Sequence, residues 1–424
     1  MEQSAPAEAE TMLSAAAAIQ PDRLLRTWMS RLPDTLDLAD LMIPGTHESC
    51  ARGKPVGWAN CQTKDLDWQL YNGVRFLDLR CRRVGSGSNM SFTLHHGDYY
   101  LDMMLGDALN HLWGFLQWHP TETLLLRISQ TKSDASAADF RRTFETNYLP
   151  NWRNLFHISP WIPNLRSVRG KVVLMTGWPY IGGLALSSTA VFDTQDEWNA
   201  PMMDRKKAEV TGHMNRAASA TAPRRKIYMN YTSANDKPPF GATPWSYAEK
   251  LNPHTLAQVN ARPGKCLGIV PMDYINRHNG STNGDHVDLP RAPVNRNAVR
   301  QYQTLTMKPS GEVVCEPYSE AATHSFYLVD QNDGSVGIRH QGTNRALSLR
   351  HDGIVLGEPY VGSQHQSFRI IEHGDGSRGV RGHYNNLGLT LVTDTGQVHG
   401  SPNTTGINIT KQADGSTGFR HYYN

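Results

Sequence analysis

Residues 73–80 read Gly73-Val74-Arg75-Phe76-Leu77-Asp78-Leu79-Arg80. Asn72-Gly73 supplies a turn, and the apolar run after it predicts a short buried strand over Val74–Leu79. Successive side chains on a strand point to opposite faces, so Asp78 and Arg80 share one face while Leu77 and Leu79 take the other. Four similar runs follow at Leu124–Ile128, Lys171–Met175, Lys226–Asn230 and Cys266–Val270. Between Val74–Leu79 and Leu124–Ile128, Leu101, Leu105, Leu109, Leu112 and Leu116 fall at helical spacing and predict a helix with one core-facing stripe. Strand–helix alternation from Pro21 to Arg296 argues for a parallel α/β barrel or an open doubly wound sheet. No Gly-x-Gly-x-x-Gly follows a strand, which counts against the nucleotide-binding version.

Residues 297–424 have a different texture. Leu305-Thr306-Met307, Leu347-Ser348-Leu349 and Leu389-Thr390-Leu391 open three copies spaced 42 residues apart. Ser325-Phe326 and Ser367-Phe368 recur at matching places, with Ile407 in the third copy, and Asp-Gly-Ser closes each unit at Asp333, Asp375 and Asp414. Short strands separated by Asp-Gly turns mean hairpins, and units of this size must share a core. The three repeats resemble an all-β, ricin-B-like β-trefoil. Such a domain implies a carbohydrate or other surface ligand as partner, although Ser-Phe stands where sugar-binding trefoils carry Gln-x-Trp.

Composition narrows the function. The 424 residues carry a net charge of +3, which offers no case for nucleic-acid binding. No run of about 20 apolar residues is present to span a membrane. Residues 1–20 are Ala/Glu-rich, read as a flexible lead-in, and lack the features of a secretory signal. The cysteines, Cys50, Cys61, Cys81, Cys266 and Cys315, show no Cys-x-x-Cys spacing, so a zinc site or disulfide framework is not expected. Buried free thiols are the expectation, with one disulfide among Cys50, Cys61 and Cys81 the alternative.

Polar residues that break strand patterns are the candidates for chemistry, because parallel barrels present reactive groups at strand ends. Four segments qualify: Ile43-Pro44-Gly45-Thr46-His47-Glu48, the strand with Asp78 and Arg80, Leu94-His95-His96-Gly97-Asp98, and Ile269-Val270-Pro271-Met272-Asp273. Two histidines, several carboxylates and an arginine suit phosphodiester cleavage. One histidine takes a proton from the attacking hydroxyl and the other returns one to the leaving alkoxide. The guanidinium offers a forked donor to phosphoryl oxygens.

These segments resemble the bacterial phosphatidylinositol-specific phospholipases C. The likeness runs from Trp28-Met29-Ser30-Arg31-Leu32-Pro33-Asp34 through the segments above and His119-Pro120-Thr121-Glu122-Thr123. It continues at Gln195-Asp196-Glu197-Trp198 and Ile227–Ser233, and ends at Met272–Asn276. The resemblance implies an irregular TIM-like (β/α) barrel over residues 21–296, secretion, and a phosphatidylinositol substrate in a membrane surface. The reaction it implies releases diacylglycerol and inositol 1,2-cyclic phosphate, then inositol 1-phosphate. It makes His47 the general base oriented by Asp273, and His96 the general acid supported by Asp78. Arg80, neighboured by Glu48, stabilises the phosphate; Asp196 holds inositol hydroxyls and Trp198 stacks on the ring. Phosphodiesters of other alcohols, or a silent barrel serving the repeat domain, are the rival readings.

Two cations of the family's headgroup pocket are replaced, one around Ser129-Gln130 and one at Thr176-Gly177. Arg80 stands where calcium-dependent relatives have a carboxylate, so the expectation is catalysis without metal. Calcium held partly by Glu48 and Asp78 is the alternative. Of the ten tryptophans, Trp178 and Trp245, beside Gly/Pro-rich segments, are the candidates for exposed loop contacts.

Overall fold

The computed structural model describes residues 23–421 apart from 237–240, 278–285, 298–302, 318–321, 374–377, 393–396, 403–406 and 412–415. The lead-in at 1–20 and the repeat-closing Asp375 and Asp414 lie outside the described residues. The chain divides into two compact units. One holds residues 36–297 with the segment preceding Arg31; the other holds residues 31–35 and 298–424.

The first unit is an irregular TIM-like barrel. Its strands are β1 (Ile43–Thr46), β2 (Phe76–Val84), β3 (Ser91–His96), β4 (Tyr99–Met104), β5 (Leu124–Gln130) and β6 (Phe156–His157). Then come β7 (Val172–Thr176), β8 (Leu184–Ala185), β9 (Phe192–Gln195), β10 (Ile227–Asn230) and β11 (Ile269–Met272). The parallel path runs β6-β7-β5-β2-β1-β11-β10-β9. Strands of a parallel sheet are covered on both faces, which is why they read as continuous apolar runs. Leu124, Leu125 and Leu126 have no exposure at all, and neither do Val172–Met175.

Strand β2 outgrows the barrel. Phe76 to Cys81 pairs in parallel with β5, but Cys81–Val84 turns to antiparallel pairing with β3. Gly97, at φ 57°, reverses the chain into β4, where His96 faces Tyr99. This hairpin corrects one sequence expectation. Leu101 belongs to β4, and the helix begins at Leu105 and runs to Trp118 with Leu105, Leu109, Leu112 and Leu116 buried.

Two of the sequence motifs meet at a buried ion pair. Arg75 and Glu122 are both fully buried, and Arg75 donates from Nε (3.0 Å) and Nη2 (2.8 Å) to Glu122 Oε2. Glu122 also accepts from the backbone N–H groups of Met29 and Ser30, while Arg75 donates to the carbonyls of Leu70, Val74 and Arg26. Removing one partner leaves the other charge buried and unpaired. Glu122→Ala should therefore cost about 3–5 kcal/mol of stability, measured by urea unfolding of the whole chain.

Among the described residues of the second unit, twelve strands, all antiparallel, form six hairpins between Gln303 and His421, four strands to each repeat. Its core repeats with the sequence. Leu305, Leu347 and Leu389 are fully buried, as are Phe326, Phe368 and Ile407, and likewise Ile338, Val380 and Phe419.

Candidate active site

His47 follows β1 and Asp273 follows the adjacent β11, so neighbouring strand ends bring them together. His47 Nδ1 lies 2.8 Å from Asp273 Oδ1, and its Nε2 lies 3.0 Å from Arg80 Nη2. A guanidinium can only donate, so Nε2 is the acceptor and the ring proton sits on Nδ1, donated to Asp273. Burial opposes charge on His47, but the charge and hydrogen bond of Asp273 outweigh it and the pKa is raised. Side-chain amides lock this corner. Gln62 Nε2 donates to the carbonyls of His47 and Met272, and Asn252 Nδ2 donates to those of Asp273, Tyr274 and Arg277.

The residues following His47 and Asp273 both adopt left-handed backbone, Glu48 at φ 43° and Tyr274 at φ 48°. Such conformations cost of order 1–3 kcal/mol each and persist only where the surroundings impose them. At Glu48 the result is a carboxylate turned inward, 1% exposed, with Oε1 2.8 Å from Arg80 Nη1.

Among the described residues, the Asp78 carboxylate pairs with arginines and not with His96, the partner that the resemblance implies for it. Its Oδ2 lies 3.2 Å from Arg127 Nη1 and 3.5 Å from Arg80 Nη2. Burial alone would raise the Asp78 pKa, but Arg127 and Arg80 hold it below the usual carboxylate range. The carboxylate facing His96 is Glu48, with Oε1 4.0 Å from Nε2. The hairpin explains the exchange. His96 arrives on antiparallel β3, whereas the Asp78 side chain, on the parallel stretch of β2, is met by the guanidinium from β5. At the other ring nitrogen, Cys61 Sγ lies 3.9 Å from His96 Nδ1. Burial pushes the Cys61 thiol well above its ordinary range, and the charges of Asp273 and Glu48, with a hydrogen bond to Asp273, push it the same way.

One pocket of about 230 Å³ is lined by His47, Arg80, His96, Asp273, Asp196 and Trp198, together with Arg127, Ser233 and Asn235. All the sequence candidates except the two buried carboxylates Glu48 and Asp78 thus reach its wall. Sequence reasoning missed Arg127. It is the single charge in the run Leu124–Ile128 and, two residues before Ser129, shares that residue's strand face. Attention to strand parity would have found it. Arg127 Nη1 also donates to Tyr231 OH at 3.0 Å. Beyond Arg127 and Asp196 lies a second cavity of about 350 Å³, walled by Gly177, Trp178, Tyr180, Thr194 and Tyr231. A Cβ on Gly177 would come within 2.7 Å of Ser129 Cβ, so the two small replacements fit one another.

Trp178 is 66% exposed, but Trp245 is half-buried, packed edge-on against Tyr274 at 5.0 Å with Arg277 over its ring. All five cysteines are buried and free.

Residues 38–177 match the family model for the phosphatidylinositol-specific phospholipase C X domain. A 1-phosphatidylinositol phosphodiesterase of Staphylococcus aureus strain Newman is 31% identical over 278 residues, covering 58% of this chain and 87% of the relative. The enzyme of the same name from Listeria monocytogenes is 28% identical over 272 residues, covering 59% of this chain and 81% of the relative. A crystal structure of the S. aureus phosphatidylinositol-specific phospholipase C superposes with a TM-score of 0.56 at 26% identity, over 65% of this chain and 99% of that one. The L. monocytogenes structure gives 0.54 at 25% identity, over 64% and 98%. The barrel, the strand-end histidines and these likenesses define a phosphoric diester hydrolase. The chain belongs to the phosphatidylinositol-specific phospholipase C family.

Proposed function

We propose that the chain cleaves phosphatidylinositol at the glycerophosphodiester bond by general acid–base catalysis without a metal. The observation that carries this reading is the state of His47. Nδ1 is committed to Asp273, and Nε2 is an acceptor on the pocket side, where Arg80 covers it. When the inositol 2-hydroxyl displaces Arg80 from Nε2, His47 takes its proton and the oxygen attacks phosphorus. Arg80 then meets the non-bridging oxygens, where charge develops. His96 protonates the departing diacylglycerol oxygen. His96 gives that proton from Nε2 as the imidazolium and is left a neutral ring. The first product is inositol 1,2-cyclic phosphate, which water opens to inositol 1-phosphate by the same histidines with roles exchanged.

Glu48 is paired with Arg80, and Asp78 is shared between two guanidinium groups, which supports the absence of calcium from the reaction. The exposed side chains of Trp198, Trp178, Tyr180 and Met202 suit a membrane headgroup layer. Among the described residues no helix is long and apolar enough to cross a membrane. Secretion follows from the family reading.

Arg127 takes up the headgroup-binding work of the two replaced cations. Arg127→Ala should raise KM about tenfold and lower kcat less, since it removes a contact made equally before and during reaction. Steady-state kinetics on mixed micelles measures both. The reading as a whole is tested with vesicles of phosphatidylinositol or of phosphatidylcholine, each with and without chelator. Diacylglycerol release from phosphatidylinositol alone, unaffected by chelator, is expected. Equal release from both lipids would point to a different phosphodiester, and loss on chelation would overturn the metal-free reaction.

A further inference from the structure

The thiol of Cys61 has no solvent exposure and forms no disulfide, yet it stands where both histidines can meet it. Its Sγ is 3.9 Å from His96 Nδ1. One nitrogen of His47, Sγ of Cys61 and a carboxylate oxygen of Asp273 all lie within 4.8 Å of one another. Zinc takes sulfur at about 2.3 Å and nitrogen or carboxylate oxygen at about 2.0–2.2 Å, so tetrahedral ligand atoms stand roughly 3.5 Å apart. To reach that geometry the sulfur must draw in by about 1 Å, while the His47 Nδ1–Asp273 Oδ1 pair, now 2.8 Å apart, opens slightly. His47 and Asp273 line the pocket, which supplies the entry path.

We propose that His47, Cys61 and Asp273 form an inhibitory site for zinc-type divalent cations, with the fourth position open to water from the pocket. Metal binding displaces the thiol proton of Cys61 to solvent. The proton on His47 Nδ1 moves to Nε2, and Arg80 Nη2 withdraws from that nitrogen. Thiolate and carboxylate then neutralise the dication, which makes up for the nearby guanidinium. The bound state removes the base, because Nε2 is protonated and Asp273 is occupied. Magnesium and calcium prefer oxygen ligands in larger number, and one carboxylate among sulfur and imidazole donors does not serve them. The consequence for turnover rests on the proposed reaction; the site itself does not.

The test uses the full chain, freed of metal with chelator and dialysed. Buffered free zinc should inhibit phosphatidylinositol cleavage, and excess chelator should restore it, while magnesium and calcium at the same concentrations leave the rate unchanged. Partners of metal ligands are themselves worth about 10–100-fold in affinity. Cys61→Ser should therefore raise the zinc concentration for half-inhibition at least tenfold, with each variant compared to its own zinc-free rate. Cobalt gives a readout independent of activity. Wild type with cobalt should show a thiolate-to-metal charge-transfer band, retained in Cys266→Ser and lost in Cys61→Ser. Cys61→Ala serves if the serine variant does not fold by circular dichroism. Equal zinc sensitivity in wild type and the Cys61 variants, or a cobalt band that survives them, would overturn the site. Failure to cleave phosphatidylinositol would sink the proposed reaction, and the cobalt spectrum would still decide the site.

Discussion

His47→Ala should reduce kcat for phosphatidylinositol cleavage by about 10²–10⁴-fold, the usual worth of a positioned general base. The loss should appear with the fold intact, because the ring is partly exposed to the pocket and its hydrogen bonds are confined to the site. The companion variant Asp273→Asn separates orientation from charge. In the native site Asp273 raises the pKa of His47 against the opposing effects of burial and Arg80. A base works only when unprotonated, so activity should fall as pH drops through a value above the ordinary histidine pKa of about 6.5. With Asp273→Asn the raising interaction is gone and the lowering ones remain. The acid limb of kcat/KM should then move to lower pH while the plateau rate drops. A plateau loss with an unmoved limb would mean that Asp273 acts on something other than His47. The measurement is kcat/KM across pH 5–8 for both proteins.

Arg80→Ala carries the second large effect. Arg80 touches His47 Nε2, Glu48 and Asp78 at once, and it lines the pocket in which the proposed reaction takes place. Losing a donor aimed at developing charge costs about 10²–10³-fold, and the cost falls on kcat more than on KM. Truncation also leaves the buried Glu48 carboxylate without its closest cation, so the variant should be less stable. Arg80→Lys resolves the two contributions. It keeps a positive charge for Glu48 and Asp78 but lacks the fork that reaches His47 and a phosphoryl oxygen together. Recovered stability with kcat still depressed is expected. Full recovery of kcat by lysine would reduce the role of Arg80 to simple charge.

The residues of this site were legible in unequal measure, for physical reasons. His47 and Asp273 could be placed because each ends a parallel strand, and strands β1 and β11 are neighbours in the barrel. Arg80 could be placed by parity with Asp78. The partner of His96 could not, since it depends on β2 leaving the barrel and folding back through an antiparallel hairpin. That excursion sets Glu48 before His96 and gives Asp78 to Arg127. Arg127 lay hidden inside an apolar run, where a charge reads as an interruption until the strand's inner face is known. Conversely, Arg75 and Glu122 belong to the most recognisable motifs, and they form a buried structural pair outside the pocket wall. Recognisable sequence marked the scaffold as much as the chemistry. The leucines of the three repeats predicted the inner layers of the second unit, because exact spacing forces equivalent residues into equivalent positions.

The central claim is that an inositol hydroxyl activated by His47 attacks phosphorus before water does. A phosphorus NMR time course on phosphatidylinositol in detergent, with chelator present, tests it most directly. The account predicts that the five-membered cyclic phosphate accumulates first and inositol 1-phosphate follows more slowly. Inositol 1-phosphate formed from the outset, with no cyclic resonance at any time, would contradict it.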